Sequence, residues 1–312
     1  MKRFTAGTAL VCAALAPVAA VSAPTVYGNI HIVLNKIDSL GEYRMDSHNS
    51  AIGIKGSEDL DNGLKFIYKV EFEYDSTVRD DETSSLRDRD QWAGFVSKEY
   101  GVLRAGTIST GYKTSGAAVD PLYRTLFEGR GFMNTQSRLH DDAGQPNLGK
   151  SESTLRYDSP LIGNVRYIGS YALSKQEKNV WGLSAHFEDA GLKLNLDYLN
   201  SDQLNGSAIK LGGQYKTGGF LFGGQYESGD KEIFGDGVSA VYALHGGYIS
   251  GNNSWIATVG GHKDYSTSWG VMWNHKMSES TDLYAGFALK NYDKAAGLPD
   301  DDAFGIGVRH DF

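Results

Sequence analysis

The sequence predicts an all-β protein, a 16-stranded antiparallel transmembrane β-barrel with a long third loop folded inward. Three observations predict it. Apolar and polar residues alternate with a period of two along most of the chain, no segment after the N-terminus approaches 18 consecutive apolar residues, and tight turns alternate with longer polar loops.

Composition supports an ordered chain. The 312 residues are 22% charged and include 18 Tyr, 13 Phe and 5 Trp, so there is enough apolar surface to offset the entropy of ordering. Residues 1–23 stand apart: Lys2 and Arg3, an apolar stretch from Ala9 to Val21, then Val21-Ser22-Ala23, small residues of the kind a secretory peptidase cuts. This reads as a cleaved signal peptide. As a membrane anchor it is too short, because Pro17 interrupts a run below the roughly 20 residues a spanning helix needs. Cleavage would remove Cys12, the one cysteine, and would take the net charge from −8 to −10. Val11 is too bulky for Cys12 to be a lipid attachment site. An acidic balance of this size repels phosphate, so nucleic acid is excluded as a partner.

The clearest strand is Leu64 to Tyr74, where Leu64, Phe66, Tyr68, Val70, Phe72 and Tyr74 alternate with Lys65, Ile67, Lys69, Glu71 and Glu73. At 180° per residue the charges fall on one face, whereas at 100° they would scatter around a helix. The same period recurs in Leu192, Leu194, Leu196 and Tyr198, and in Phe304, Ile306, Val308, His310 and Phe312. Thirteen further strands are predicted around residues 25–36, 48–57, 89–98, 100–107, 151–158, 163–173, 179–188, 207–217, 218–228, 238–250, 253–262, 267–277 and 281–292.

Even-numbered strands end in tight turns such as Asp189-Ala190-Gly191, Thr217-Gly218-Gly219 and Gly251-Asn252-Asn253. Odd-numbered strands mostly end in longer loops, near 37–47, 75–88, 108–150, 200–206, 229–237 and 293–302. Short connections on one rim and long ones on the other are the asymmetry of outer-membrane barrels, and a soluble sandwich has no reason to obey it. A sandwich would also leave sheet edges to protect, while closure satisfies every backbone N–H and C=O without water.

The stretch 108–150 is far longer than an ordinary connection and combines Tyr123, Leu126, Phe127, Phe132 and Met133 with Arg124, Arg130, Arg138, Asp120, Glu128, Asp141 and Asp142. A barrel of this size encloses water, so the loop is expected to fold inward and constrict the channel. Strand parity places Lys55, Lys65, Lys69, Glu71, Glu73, Arg104, Arg156, Asp158 and Arg166 on the lumen side. Lys55, Lys69, Arg104 and Arg156 are the expected wall side of the constriction, with Asp120 and Glu128 as their loop-side partners. A transverse field of that kind favours polar solutes over apolar ones. The loops facing bulk water hold much of the net charge, so the total leaves the ion preference open.

Several stretches resemble the trimeric general porins of Gram-negative bacteria, in the form common among proteobacterial outer membranes. They are Val26-Tyr27-Gly28, the run from Ile52 to Lys65, Leu155-Arg156-Tyr157-Asp158-Ser159-Pro160, Asp282-Leu283-Tyr284-Ala285-Gly286 and the closing stretch from Phe304 to Phe312. Their order and spacing make the set specific. The resemblance implies a homotrimer in outer-membrane lipid and lipopolysaccharide, passing small hydrophilic solutes and ions by passive diffusion. It also implies that Phe312 belongs to the signal read by the outer-membrane assembly machinery, and it carries over Arg104 and Arg156 as wall arginines. Two departures bear on the constriction: Gly106 is followed by Thr107 rather than Arg, and the third loop reads Asp120-Pro121-Leu122-Tyr123-Arg124 in place of the family's Pro-Glu-Phe-Gly.

No phosphate-binding loop and no His pair at helical metal-ligand spacing occurs, so no cofactor and no metal is expected. The run Asp300-Asp301-Asp302 reads as a solvated loop rather than a divalent-cation site. A barrel enzyme acting on lipid would need a Ser, His and polar orienter on the outer face, where these residues are nearly all apolar. A solute-specific channel is the closer alternative, with inward Tyr27 or Trp92 contributing to its path.

Overall fold

The computed structural model describes residues 23–77, 86–140, 150–173, 179–235 and 237–312. The expected leader lies outside them except for Ala23, and so do Asp141 and Asp142. One sheet contains β1 (Thr25–Ile37), β2 (Tyr43–Ser47), β3 (Ala51–Asp59), β4 (Lys65–Tyr74), β5 (Leu86–Ser97), β6 (Gly101–Ser109), β7 (Lys150–Asp158), β8 (Val165–Ala172) and β9 (Val180–Asp189). It continues through β10 (Leu192–Ser201), β11 (Gly206–Thr217), β12 (Phe220–Gly229), β13 (Ala240–Ser250), β14 (Asn253–His262), β15 (Ser266–Lys276), β16 (Thr281–Tyr292) and β17 (Asp301–Asp311).

These strands make sixteen staves, because β2 and β3 lie end to end along β1: Ser47 faces Ile32, and Ala51 faces Asn29. Between them His48, Asn49 and Ser50 form a bulge, with Asn49 at φ 57°, a left-handed conformation that asparagine tolerates. The expected loop 37–47 is therefore shorter than its composition suggested. Arg44 and Asp46 read as loop polarity, yet they sit on a paired strand and bond each other at 3.3 Å.

The sheet closes where β1 meets β17, in register from Asn29 opposite Asp311 to Ile37 opposite Ala303. Gly28 and Phe312 complete the seam by exchanging two backbone N–H···O bonds of 3.0 Å. Tight turns match their expected places. In the β9–β10 turn Ala190 and Gly191 have φ 45° and 84°, and in the β11–β12 turn Gly218 and Gly219 have 54° and 84°, the hairpin geometry that follows strand twist.

Exposure alternates as parity requires. On β17, Phe304, Ile306 and Val308 are exposed, while Ala303, Gly305, Gly307 and Arg309 are buried. The exposed set continues around the wall with Leu194, Leu211, Leu244, Val259 and Val271, accompanied by Tyr215, Phe220, Tyr248 and Trp255. An outer surface this apolar suits lipid, and the inner face carries the polar partners of every strand.

The long loop is more ordered than its glycines suggested. It opens with α1 (Gly111–Val119), whose N-cap Thr110 accepts a hydrogen bond from Lys113 N at 3.2 Å. The loop then packs on the inward face in two places. Tyr112 and Leu139 join Val180, Leu199, Ala208 and Val241, beneath the short helix α2 (Lys231–Phe234). Leu122, Phe127 and Met133 join Val33, Ile256, Met272 and Tyr284 on the other side. Glycine makes room for this second contact, since a Cβ on Gly286 would lie 2.5 Å from the Phe127 ring.

A charge on the outer face should be costly while the fold stays unchanged in kind. Leu211 is 62% exposed near the middle of β11. Leu211→Arg is expected to lower stability by about 2–4 kcal/mol, read from the urea midpoint of the protein folded into vesicles.

Candidate functional site: the lumen wall and the loop

The wall from β3 to β7 concentrates charge because many of its inward positions are charged, among them Lys55, Lys69, Glu71, Arg104 and Arg156. Lys55 stands over the Tyr27 ring at 4.9 Å, and the Tyr27 hydroxyl donates to Glu71 at 2.8 Å. Lys69 bridges Glu71 at 3.0 Å and Asp90 at 2.9 Å, while Lys150 reaches Asp90 at 3.1 Å. Arg89 bridges Glu71 at 2.8 Å and Glu73 at 2.7 Å, and Arg87 also reaches Glu73, at 2.5 Å. A register shift opposite Glu71 explains how consecutive residues Arg89 and Asp90 both place their heads on the lumen side.

Arg104 and Arg156 face each other across β6 and β7, an arrangement that would repel without a counter-charge. Asp158 supplies it: Arg104 pairs with Oδ2, and Arg156 pairs with Oδ1 at 2.7 Å. Arg156 also donates to the Ser109 carbonyl at 2.6 Å, tying the wall to the start of the loop. Trp92 faces inward as parity required, with Arg104 over its ring at 5.4 Å. The four expected wall residues therefore do lie in one region. Lys65 and Arg166 are the exceptions among the inward cations: Lys65 pairs at the turn rim with Asp59 at 2.5 Å, and Arg166 lines a cavity with Lys193 of β10.

The loop-side assignments are different. Asp120 accepts backbone hydrogen bonds from Leu122 at 2.9 Å and Gly129 at 2.8 Å, so it shapes the loop itself. Burial pushes its carboxyl up to about 6. Glu128 is 3% exposed, pairs with Arg130 at 2.8 Å and accepts from Arg124 N at 2.9 Å. Both expected loop partners of the wall thus find their hydrogen-bond donors within the loop, and the wall group beside Glu128 is His48, at 3.7 Å, rather than a wall lysine or arginine. The physical reason is local: carboxylates a few residues from free N–H groups find them before they find a cation across water.

Sequence reading missed the anchor that holds α1. Asp197, Lys210 and Glu227 are directly opposite one another on β10, β11 and β12, and each is fully buried. Glu227 accepts from Tyr112 OH at 2.9 Å, Ser137 OH at 2.5 Å and Gln225 at 2.8 Å. Asp197 accepts from Ser115 at 2.6 Å and lies 2.9 Å from His186. Lys210 donates to the Tyr112 carbonyl and stands 4.1 Å over its ring. Burial, then Glu227, push the Tyr112 phenol well above its ordinary range, so it remains a donor. The signal was available: three adjacent strands carry charges of alternating sign at inward positions.

The acidic run near the C-terminus is occupied by backbone and hydroxyl donors. Asp300 accepts from Tyr292 N, and Asp301 accepts from Ser39 N and Oγ. Among the described residues no cluster of His, Cys, Asp and Glu has metal-binding geometry.

A family model described as Gram-negative porin matches residues 6–295. The major outer membrane protein P.IA of Neisseria meningitidis serogroup C is 25% identical over 242 residues, covering 68% of this chain and 57% of that protein. The chain thus spans little more than half the length of that relative. Among solved structures, an anion-selective porin from Comamonas acidovorans superposes with a TM-score of 0.76 at 19% identity, covering 93% of this chain and 99% of that one. An in-vitro folded outer membrane protein of Vibrio cholerae, in trimer form, gives 0.68 at 15% identity, with 93% and 100% covered.

Removing the anchor should loosen the loop. Glu227→Ala would leave Tyr112, Ser137 and Gln225 without their acceptor and is expected to cost on the order of 3 kcal/mol, measured by urea titration with loop proteolysis as the local readout. Asp120 gives a pH dependence whose sign follows from its raised pKa. Between the ordinary carboxylate value and about 6 the folded state holds the extra proton, so its contribution to stability is full at lower pH and is lost as pH rises through that window. Asp120→Asn should flatten this difference between urea midpoints at pH 4 and pH 7.

Proposed function

The chain belongs to the Gram-negative porin family, and from that premise we propose an outer-membrane diffusion channel for small hydrophilic solutes and ions, with a narrowing that prefers anions. One observation carries the preference. On the β3–β7 wall Lys55, Lys69, Arg87, Arg89, Arg104, Lys150 and Arg156 stand against Glu71, Glu73, Asp90 and Asp158, an excess of cations, while the loop carboxylates Asp120 and Glu128 are turned to loop donors.

Transport by this route needs no bond to be made or broken. A solute entering the lumen exchanges bulk water for water held along charged walls, and only polar or charged solutes recover that cost. The loop from α1 to His140 lies along the β8–β17 side and sets the width facing the basic wall. Lys55 is exposed on the wall, while Lys69, directly opposite it in register, and Arg104 are more enclosed. The ion pairs hold the long side chains in place, so the field has a fixed direction rather than averaging away.

The same contacts favour a general pore over a solute-specific one. Tyr27 is held by Glu71 with Lys55 over its ring, and Trp92 has Arg104 over its ring, so each aromatic already has a cation as its partner. We also propose that the assembly is a homotrimer, as in the Vibrio cholerae structure of the same fold, and that residues 1–23 are removed on export.

Planar-bilayer recordings in a salt gradient test this reading. The expected result is stepwise ohmic conductance with a reversal potential of anion-selective sign. Lys55→Glu should lower the anion-to-cation permeability ratio several-fold. Arg104→Ala should lower it less and leave assembly intact, because Arg156 still neutralises Asp158. A cation-selective wild type would overturn the preference, and verified folded barrels without steps would overturn the open channel.

A further inference from the structure

A second concentration of positive charge lies away from the narrowing, on the opposite wall and at the tight-turn rim. A cavity of about 380 Å3 opens beneath the C-terminal end of α1. Its walls carry Lys193 from β10, Lys216 from β11 and Lys276 from β15, with Asn252 and Ser254 as neutral polar groups between them. All three lysines occupy inward positions at the ends of their strands, in register with Asn195, Gln214 and Asn274.

The counter-charges are few. Lys193 and Lys276 are both close enough to Lys216 to repel it, and Glu188 is the carboxylate that acts on it in return. Glu188 lies 3.6 Å from Lys193 and is largely exposed to water, where a pair of this kind contributes little. Asp120 lines the cavity too, but its oxygens accept from Leu122 and Gly129. The carbonyl end of α1 would oppose an anion, and there Gln214 donates to the Val119 carbonyl at 3.1 Å and satisfies it. Asp282 stands directly opposite Lys276 across the β15–β16 ladder, and it is shared, since it accepts from the Asn274 amide at 3.2 Å.

We propose that this cavity is a binding site for small polyanions of the pyrophosphate or phosphate-ester class, occupied as such solutes pass between the narrowing and the tight-turn rim. The empty site holds like charges together, so an anion both gains their attraction and removes their mutual repulsion. A multiply charged ligand fits better than chloride, because β12, β13 and β14 stand between Lys216 and Lys276 and one small ion cannot touch both sides. The volume suits a small phosphorylated solute. An adjoining cavity shares Lys193 and adds Arg166, extending the positive strip along the same rim.

The site rests on the channel reading only for how solutes arrive, so binding and conduction are measured separately. Isothermal titration of the folded protein in detergent with inorganic pyrophosphate should give one site per chain. Lys216→Gln with Lys276→Gln should weaken it at least tenfold, Lys216→Arg with Lys276→Arg should restore it, and Lys55→Gln on the opposite wall should leave it in place. In bilayers, pyrophosphate added on the tight-turn side should reduce chloride current through the wild type and not through the double glutamine variant. Wild-type protein that binds no pyrophosphate, or equal affinity in the double glutamine variant, overturns the site. Loss of binding in Lys55→Gln with retention in the double variant moves the ligand to the narrowing and also overturns it. Binding as expected from barrels that pass no current would keep the site and sink the channel.

Discussion

The rest of the molecule depends on the seam between its first and last strands. In hydrocarbon an unpaired N–H or C=O has no water to turn to and costs several kcal/mol, so the sheet must close. The ladder from Asn29–Asp311 to Ile37–Ala303, finished by the reciprocal Gly28–Phe312 bonds, does this. Closure at sixteen staves fixes a lumen too wide for wall side chains to fill. It also locks parity, since a slip of one residue anywhere would turn lumen lysines to lipid.

A wide lumen makes the loop necessary and decides how it is held. Its apolar residues pack against inward Val33, Met272 and Tyr284, with Gly286 and Gly305 leaving room for Phe127 and Leu126. Its helix is held by charges instead. Burying Asp197, Lys210 and Glu227 is expensive unless each lone pair and proton is matched, and α1 supplies Tyr112, Ser115 and a carbonyl for that purpose. The loop and the wall are each incomplete without the other, so the loop's path is specified rather than merely permitted.

Most of the fold was legible because period-two alternation is a direct image of a two-faced sheet. The strands from Leu192 and from Phe304 were readable residue by residue, and so were the tight turns at Ala190-Gly191 and Gly218-Gly219. The strand Tyr43–Ser47 was hidden because a strand beyond the apolar layer has no reason to alternate, and Arg44 and Asp46 look like loop. The wall half of the site followed from parity, which fixes the side of the sheet a charge faces. The loop half did not, because Asp120 and Glu128 are oriented by their neighbours in a turn, which a linear pattern does not encode. The same limit hid α1, whose position rests on residues some 80 to 115 places away in the sequence.

The difference between the chain's charge and the proposed preference of its pore follows from where carboxylates find donors. The chain is acidic overall, at −8, yet charge acts on a passing ion only within about 8 Å at physiological salt. Some carboxylates are matched at the rims, as Asp59 is by Lys65. Those closer in are neutralised in pairs, as Asp158 is by two arginines, or are turned to backbone N–H groups, as Asp120 is. Lysine and arginine have longer side chains and no acceptor atoms, so backbone donors cannot satisfy them, and the surplus projects into water. An acidic chain can in this way line its lumen with net positive charge, and the preference is set by which groups are left unmatched.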